Sequence, residues 1–429
     1  MVSTIKKILA KNNISEWSLV YSDISASELF FIKKNLDMRR AKDVEKYRLT
    51  VYNSFSKDGC DYKGSSSIEI VPFQSESEIE SLIKKAYFAA SFVRNKTYDL
   101  PKKEVGCKPS QSGLAKLSLE DCALAFAEAL YSPDDGKNGG AFVNSSEIFV
   151  KRANIKIMNS NGTEVSYCDY SAEGEFVVQC KEPEDVEMHF TFEYNSLNTD
   201  AIAKLVKSAL SSISDRAVAK KELKTGTYDV ILSDRYLAKL MGFFAARTSA
   251  SLVYPGYSNW KIGDDIQKSK DGKEDGEKIN VCGVAKSPYS FEGIAMRDIE
   301  LVKNGVVRSY HGGARLCSYL GIEPTGDYEA ISSSNGKTAF DDMKKKPYLY
   351  PIAFSDFQVD ENSGFFGGEM RLAYYFDGKD IKIVTGGSVN GNMIECINSI
   401  AFSKERYEES GYCGPFAARF KDIKVAGSV

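Results

Sequence analysis

Cys413 is the residue of this chain best placed to do chemistry. It sits in Gly411-Tyr412-Cys413-Gly414-Pro415, where glycines allow backbone dihedrals closed to other residues. A thiolate there would serve as a metal ligand or a nucleophile if a base or positive charge lay nearby. Without one, Cys413 is a small buried hydrophobe. The base on offer is His311, between Ser309-Tyr310 and Gly312-Gly313, which would pair with Cys413 or Cys317. Its alternative is a structural, hydrogen-bonded histidine. His189 is the only other histidine, and it lies in the alternating strand pattern Val186-Glu-Met-His189-Phe-Thr-Phe192. Two histidines exclude a His-rich metal site within one chain, and no residue is assigned to a metal.

Two glycine-rich segments precede Cys413. They are Asn362-Ser363-Gly364-Phe365-Phe366-Gly367-Gly368 and Gly386-Gly387-Ser388-Val389-Asn390-Gly391-Asn392. The first reads as a strand edge onto which an extended peptide adds, or as a β-bulge. The second leads into a short helix over 393–400. Its free N–H groups suit a peptide carbonyl or carboxylate, and its asparagines equally suit plain capping. Asn362, Gly364, Gly367, Asn390, Gly391, Asn392 and His311 are thus candidate peptide contacts.

These residues need a scaffold, and the 429 residues suffice for two domains. With 43% hydrophobic and 27% charged residues, the chain is an ordinary globular one with a core. A net charge of -3 makes nucleic acid and anionic membranes poor partners. The N-terminus lacks a signal-peptide pattern, and no window approaches a membrane span. Nine cysteines without a C-x-x-C spacing suit free thiols in a reducing cytoplasm.

The predicted fold class is α+β, with domains over 1–224 and 225–429. The first is expected to hold two β-rich repeats, each running into an amphipathic helix. One helix follows the capping box Ser75-x-x-Glu78 and the other covers 199–214. A further helix is expected over 119–131, and an interdomain linker over 214–227. Turns are expected at Asp58-Gly59, Asn161-Gly162, Asn304-Gly305 and Asp377-Gly378. The second domain is expected to be mostly antiparallel β with one long helix over 235–253, capped by Asp234. The stretch 264–278 reads as a mobile surface loop.

The order of strand, long helix, Leu301-Val-Lys-Asn304-Gly305, Pro324-Thr-Gly326 and the three glycine-rich motifs resembles the TldD/PmbA peptidase family. The resemblance covers most of the chain and is stronger from Gly226 onward. It implies a metallopeptidase system, cytoplasmic dimers and an old label, modulator of DNA gyrase, which no DNA-binding pattern here supports. TldD-type members carry H-E-x-x-x-H on the long helix, two imidazoles and a water-activating glutamate for zinc. A cysteine matching Cys413 resembles their third ligand. Here the matching helix reads Leu240-Met-Gly242-Phe243-Phe244-Ala-Ala-Arg247, with neither histidine nor glutamate.

The chain therefore resembles the PmbA (TldE) branch. That implies a subunit without a cofactor, inactive alone, that binds unfolded peptide beside a zinc-bearing TldD-like partner. A peptide-binding scaffold homodimer and a metal-independent hydrolase using Cys413 are the alternatives. Phe243 and Phe244 are expected either to pack in the core or to plug the space a metal would occupy.

Overall fold

The computed structural model describes residues 1–110, 112–268, 276–409 and 411–429. The first half follows one plan twice. Helix α1 (Val2–Lys11) leads into β1 (Glu16–Ile32), β2 (Asn35–Lys57) and β3 (Cys60–Ile70), then α2 (Glu76–Ala90). After the short β4 (Val105–Lys108) comes α3 (Leu119–Tyr131). It leads into β5 (Ala141–Asn159), β6 (Glu164–Cys180) and β7 (Val186–Tyr194), then α4 (Thr199–Val218).

Both copies share one seven-stranded sheet, because β1 pairs antiparallel with β5 from Ser18↔Asn159 to Ile32↔Ser145. The order β3-β2-β1-β5-β6, with β7 beyond β6, sets the copies about a pseudo-twofold axis. Each copy buries its helices on its own strands. Ile5, Leu9, Ile79 and Ile83 pack on Leu19, Leu49 and Val51. Phe126, Ile202, Val206 and Leu210 pack on Val150, Phe176 and Phe190.

Local chemistry sets the boundaries. The Ser75 hydroxyl accepts from Glu78 N at 3.3 Å while the Glu78 carboxylate accepts from Ser75 N at 2.8 Å, closing the capping box. Asp58 (φ 54°) and Gly59 (φ 77°) make the left-handed turn between β2 and β3. Helix α4 runs to Val218, into the stretch expected to be linker. Gly64 allows β3 to pass under the end of α2, since a Cβ there would stand 1.8 Å from the Ala90 carbonyl oxygen. Gly64→Ala should therefore lower the unfolding free energy by about 2–3 kcal/mol in urea titration. An unchanged midpoint would show that the two elements part freely.

The second half opens with β8 (Gly226–Ser233), α5 (Asp234–Thr248) and α6 (Ala250–Val253). Then come β9 (Val281–Val284), β10 (Ile299–Lys303), β11 (Val306–Val307), α7 (Ala314–Leu320), β12 (Ala330–Ser333), α8 (Phe340–Met343), β13 (Tyr348–Val359) and β14 (Phe365–Phe376). The chain ends with β15 (Ile381–Val384), β16 (Ser388–Asn392), α9 (Met393–Cys396), β17 (Ala401–Phe402), β18 (Arg406–Glu409), β19 (Tyr412–Pro415) and β20 (Ala417–Ala426). One sheet has the order β11-β10-β9-β12-β19-β18. The other, β13-β8-β20-β16-β14-β15, closes on itself through pairing of β13 with β14. Leu240, Met241, Phe243 and Phe244 of α5 lie between them, against Val281, Ile331, Phe366 and Phe420. The expected α+β class is the observed one, with strands predominating in both halves.

Several elements differ from expectation. The long helix stops at Thr248 rather than 253. Ser249 is extended (φ -71°, ψ 137°) and bridges to His311, whose ring takes the Ala245 carbonyl and whose N–H takes the Thr248 carbonyl. Asp234 is not the N-cap. Ser233 holds that position without a side-chain cap bond, and Asp234 has φ 52°. Helix α9 covers one turn, Met393–Cys396. Of the stretch 264–278, residues 269–275 lie outside the described residues. Its flank is anchored: buried Gln267 donates to the Glu277 and Ile397 carbonyls.

Candidate functional site

The burial of α5 leaves one stripe open. Arg235, Ala238, Lys239, Gly242 and Ala246 follow helical spacing, and none of them is buried. The stripe faces β7 across a cleft between the halves of the chain. A cavity of about 540 Å³ is lined by Thr191 and Phe192 of β7, Arg235, Ala238 and Gly242 of α5, and Tyr412 of β19. A second, of about 660 Å³, lies beyond Arg235 and takes in Val186–His189 at the other end of β7. A third, of about 290 Å³, continues past Glu193 and Tyr194 to Cys413. Every residue of β7 except Phe190 thus borders one of three cavities that share lining residues. It pairs only with β6, so from Val186 to Phe192 its far edge has no strand partner among the described residues.

Gly242 forms part of the floor, and a Cβ there would meet nothing within 4 Å. Phe243 and Phe244 point the other way. Both are 0% exposed and pack with Trp260, so they leave the cleft unplugged.

The cleft carries shifted acids. Burial, then the charge of Asp234, pushes Glu409 up to about 7, against the pull of Arg235. Burial likewise pushes Asp234 up to about 6, opposed by a 2.6 Å hydrogen bond from the Ser233 hydroxyl. Other carboxylates are paired: Glu173 with Lys151 at 2.9 Å, Glu175 with His189 at 3.1 Å and Glu193 with Lys286 at 3.5 Å.

The sequence-derived candidates do not form one site. Cys413 follows Tyr412, whose ring joins Ile331 in the α5 core, so strand alternation aims the thiol at the other face of the sheet. There Arg406 donates to its sulfur at 2.7 Å. His311 is 3% exposed. Its Nε2–H donates to the Ala245 carbonyl at 2.9 Å and its Nδ1 accepts from Tyr328 N at 3.4 Å. Burial holds its pKa below the usual imidazole value. With both nitrogens engaged by backbone, His311 has none free for a peptide or for a dyad with Cys413 or Cys317. Among the described residues, no three His, Cys, Asp or Glu side chains are grouped to hold a metal. The donor set of a tetrahedral zinc site is thus not assembled on α5 or around Cys413.

The glycine-rich segments have structural duties. Strand β14 is paired on both sides, with β13 and with β16 or β15, so Gly364 and Gly367 do not mark an open edge. Gly367 faces Asn390, and a Cβ on Gly367 would meet the Val389 carbonyl at 2.2 Å. Gly391 makes room for the Phe366 ring. Asn390 donates to Ser388. Asn392 caps α9 through Ile394 N at 2.9 Å and donates to the Ser363 carbonyl. Asn362, Gly364 and Asn392 do come together, at the turn whose Asn362 carbonyl is held by Arg247.

The resemblance implies a cleft between domains or subunits, but sequence reasoning did not identify the residues that line this one. The alternation of β7 was legible, and so was the stripe on α5, but neither reveals that the two face each other.

Residues 225–427 match the model of the PmbA/TldA metallopeptidase C-terminal domain. A zinc metalloprotease TldD homolog of Saccharolobus solfataricus is 22% identical over 313 residues, which cover 64% of this chain and 67% of that protein. A metalloprotease of Methanothermobacter thermautotrophicus is 22% identical over 308 residues, 65% of this chain and 63% of that protein. The chain thus matches less than two thirds of the second relative's length. Among solved structures, TldE of Thermococcus kodakarensis superposes with a TM-score of 0.76 at 14% identity, covering 99% of this chain and 100% of the other. A Thermotoga maritima protein described as a modulator of a DNA gyrase gives 0.76 at 15% identity, with 99% and 100% covered. At such identities these two structures speak to the fold. No helix among the described residues is long and apolar enough to cross a membrane.

Proposed function

We propose that this chain, whose residues 225–427 match the PmbA/TldA metallopeptidase C-terminal domain, acts within the TldD/PmbA family as a peptide-binding subunit that carries no metal and works beside a zinc-bearing, TldD-like partner in the cytoplasm. The observation that carries this reading is the free edge of β7 along the cleft, opposite an α5 stripe with no metal-ligating side chain. An extended chain entering there would gain main-chain hydrogen bonds from β7 whatever its sequence, which suits unfolded peptides. Folded proteins, whose backbone groups are already paired, would be excluded. Cleavage is assigned to the partner, because α5 offers no imidazole or glutamate to activate water.

The test has two parts. Tagged protein recovered from its native cell should bring down an H-E-x-x-x-H chain, and the pair should cleave unfolded peptide in a chelator-sensitive way. Recovery of the chain only with itself, without cleavage, would favour a homodimeric scaffold instead. Binding to β7 is tested with an N-methylated peptide: methylating alternate amides should cost at least about 100-fold in affinity in one register and little in the other. Equal effects in both registers would remove strand pairing from the reading. The purified chain alone should hold well below one zinc after dialysis against a weak chelator, and one tightly held zinc per chain would overturn the metal-free role.

Gly242→Leu gives a further check. Its side chain would grow into open cleft, while loss of a mid-helix glycine favours the helix by about 0.8 kcal/mol. The unfolding midpoint should hold or rise while peptide affinity falls about 10-fold or more. Unchanged affinity would place the peptide elsewhere.

A further inference from the structure

The two larger cavities share one cation. Arg235 lines both, at the point where β7 passes the start of α5. Its guanidinium carbon stands 5.1 Å from the ring centroids of both Phe190 and Tyr236. Its Nη2 also donates to the Tyr236 hydroxyl at 3.2 Å. These contacts fix the plane of the fork without using it up. Arg235 forms no ion pair with any described residue. Of the carboxylates that line the same cavities, Glu173 pairs with Lys151, Glu193 with Lys286 and Glu184 with Arg216, while Glu175 hydrogen-bonds to the His189 ring. Burial biases Asp234 and Glu409 toward the neutral form. What remains is a planar, stacked guanidinium facing open space beside a free strand edge, and such a fork matches a carboxylate in bidentate geometry.

We propose that Arg235 anchors a carboxylate of the bound chain, either its C-terminus or an aspartate or glutamate side chain, and so sets where a peptide stops along β7. This rests on the peptide-binding reading above. Because Phe190 belongs to β7 and stacks on Arg235, a chain paired with that strand runs within reach of the guanidinium. A carboxylate held there divides the cleft, with one cavity for the residues before it and the other left for residues beyond an internal acid.

The experiment uses the full chain and three fluorescent ten-residue peptides of one neutral sequence. One has a free C-terminal carboxylate, one a C-terminal amide, and one an amide with a single internal aspartate. By fluorescence anisotropy, a carboxylate-bearing peptide should bind about 10-fold or more tightly than the neutral amide, the gain of a charged hydrogen-bonded pair. Preference for the free C-terminus alone identifies end recognition, and preference for the aspartate peptide identifies a side-chain site. Arg235→Gln should abolish the preference, so that it binds the three peptides alike. Arg235→Lys keeps the charge but not the fork, so it should lose most of the preference, and it serves if the glutamine variant fails to fold. Equal binding of all three peptides by the unaltered chain would overturn the role of Arg235 and leave peptide binding standing. Binding of none would overturn both.

Discussion

Replacing Arg247 with alanine should cost about 2–4 kcal/mol of stability, from lost packing and from hydrogen bonds of a charged donor that water restores only in part. The side chain is 3% exposed inside the second half of the chain. It donates to the Tyr257 carbonyl at 2.8 Å, the Asn362 carbonyl at 3.0 Å and the Asn259 side-chain oxygen at 2.7 Å. Its guanidinium carbon lies 5.4 Å from the Trp260 ring centroid and 6.0 Å from that of Phe243. Truncation would remove three hydrogen bonds from a charged donor and leave a void beside two aromatic rings, and a hydrogen bond to a charged group is worth about 1.5–3 kcal/mol before water reaches the acceptors on exposed Tyr257, Asn259 and Asn362. Arg247 also joins segments distant in sequence, because the carbonyls it holds follow α6 and precede β14. Its loss should raise amide exchange in the turn at 360–364 and at the end of α5 before it affects the N-terminal sheet. Urea unfolding measures the first effect and hydrogen exchange the second. Arg247→Met, which refills volume without donors, should recover only the packing share. A loss below about 1 kcal/mol for the alanine variant would mean that water replaces the guanidinium and that the site is wetter than its burial implies.

Arg247 also marks where reading the sequence reached its limit. The helix around it was expected from the sequence, and its lack of histidine and glutamate is a property of the sequence itself. Features fixed by near neighbours appear as expected. Ser75 and Glu78 form the capping box, Asn304-Gly305 turns β10 into β11, and the strand-helix plan recurs in the first half. Features fixed by remote partners do not. The glycine pattern at 364–368 looks the same on an open edge and in a closed ring of strands. Only the pairing of β13 with β14 decides between them. The helix was expected to run on to Val253, but His311, far along the chain, takes the carbonyls that another turn would have used. Cys413 kept its glycines, yet one step of strand alternation turns its thiol away from α5. The cleft needed two such facts together, that β7 is an outer strand and that the bare stripe of α5 lies opposite. Neither has a local signature.

Glu409 should make the protein lose stability as pH rises, the reverse of the usual carboxylate effect. Its folded pKa is pushed from the ordinary 4.5 up to about 7 by burial and by Asp234, with Glu193 adding to the push and Arg235 opposing it. Between those values the folded chain keeps a proton that the unfolded chain has released. Its stabilising contribution is therefore complete below about pH 4.5, declines as pH rises through about 7, and is gone above that. Asp234, raised from 3.8 to about 6, acts in the same direction over a lower window. Water still reaches Glu409 through the cleft, so the expected loss across its window is about 2 kcal/mol rather than the full value of the shift. Glu409→Gln removes the proton exchange and keeps the shape. It should stabilise the chain by about that amount at pH 8, change little at pH 4.5, and flatten the pH profile between. Thermal unfolding of both proteins at matched ionic strength measures the difference. A glutamine variant with the same pH slope as the parent would show that Glu409 ionises normally, in a cleft more open than its packing suggests. A flattened slope would show that Glu409 stays protonated near neutrality, so that Arg235 faces one carboxylate fewer in that part of the cleft.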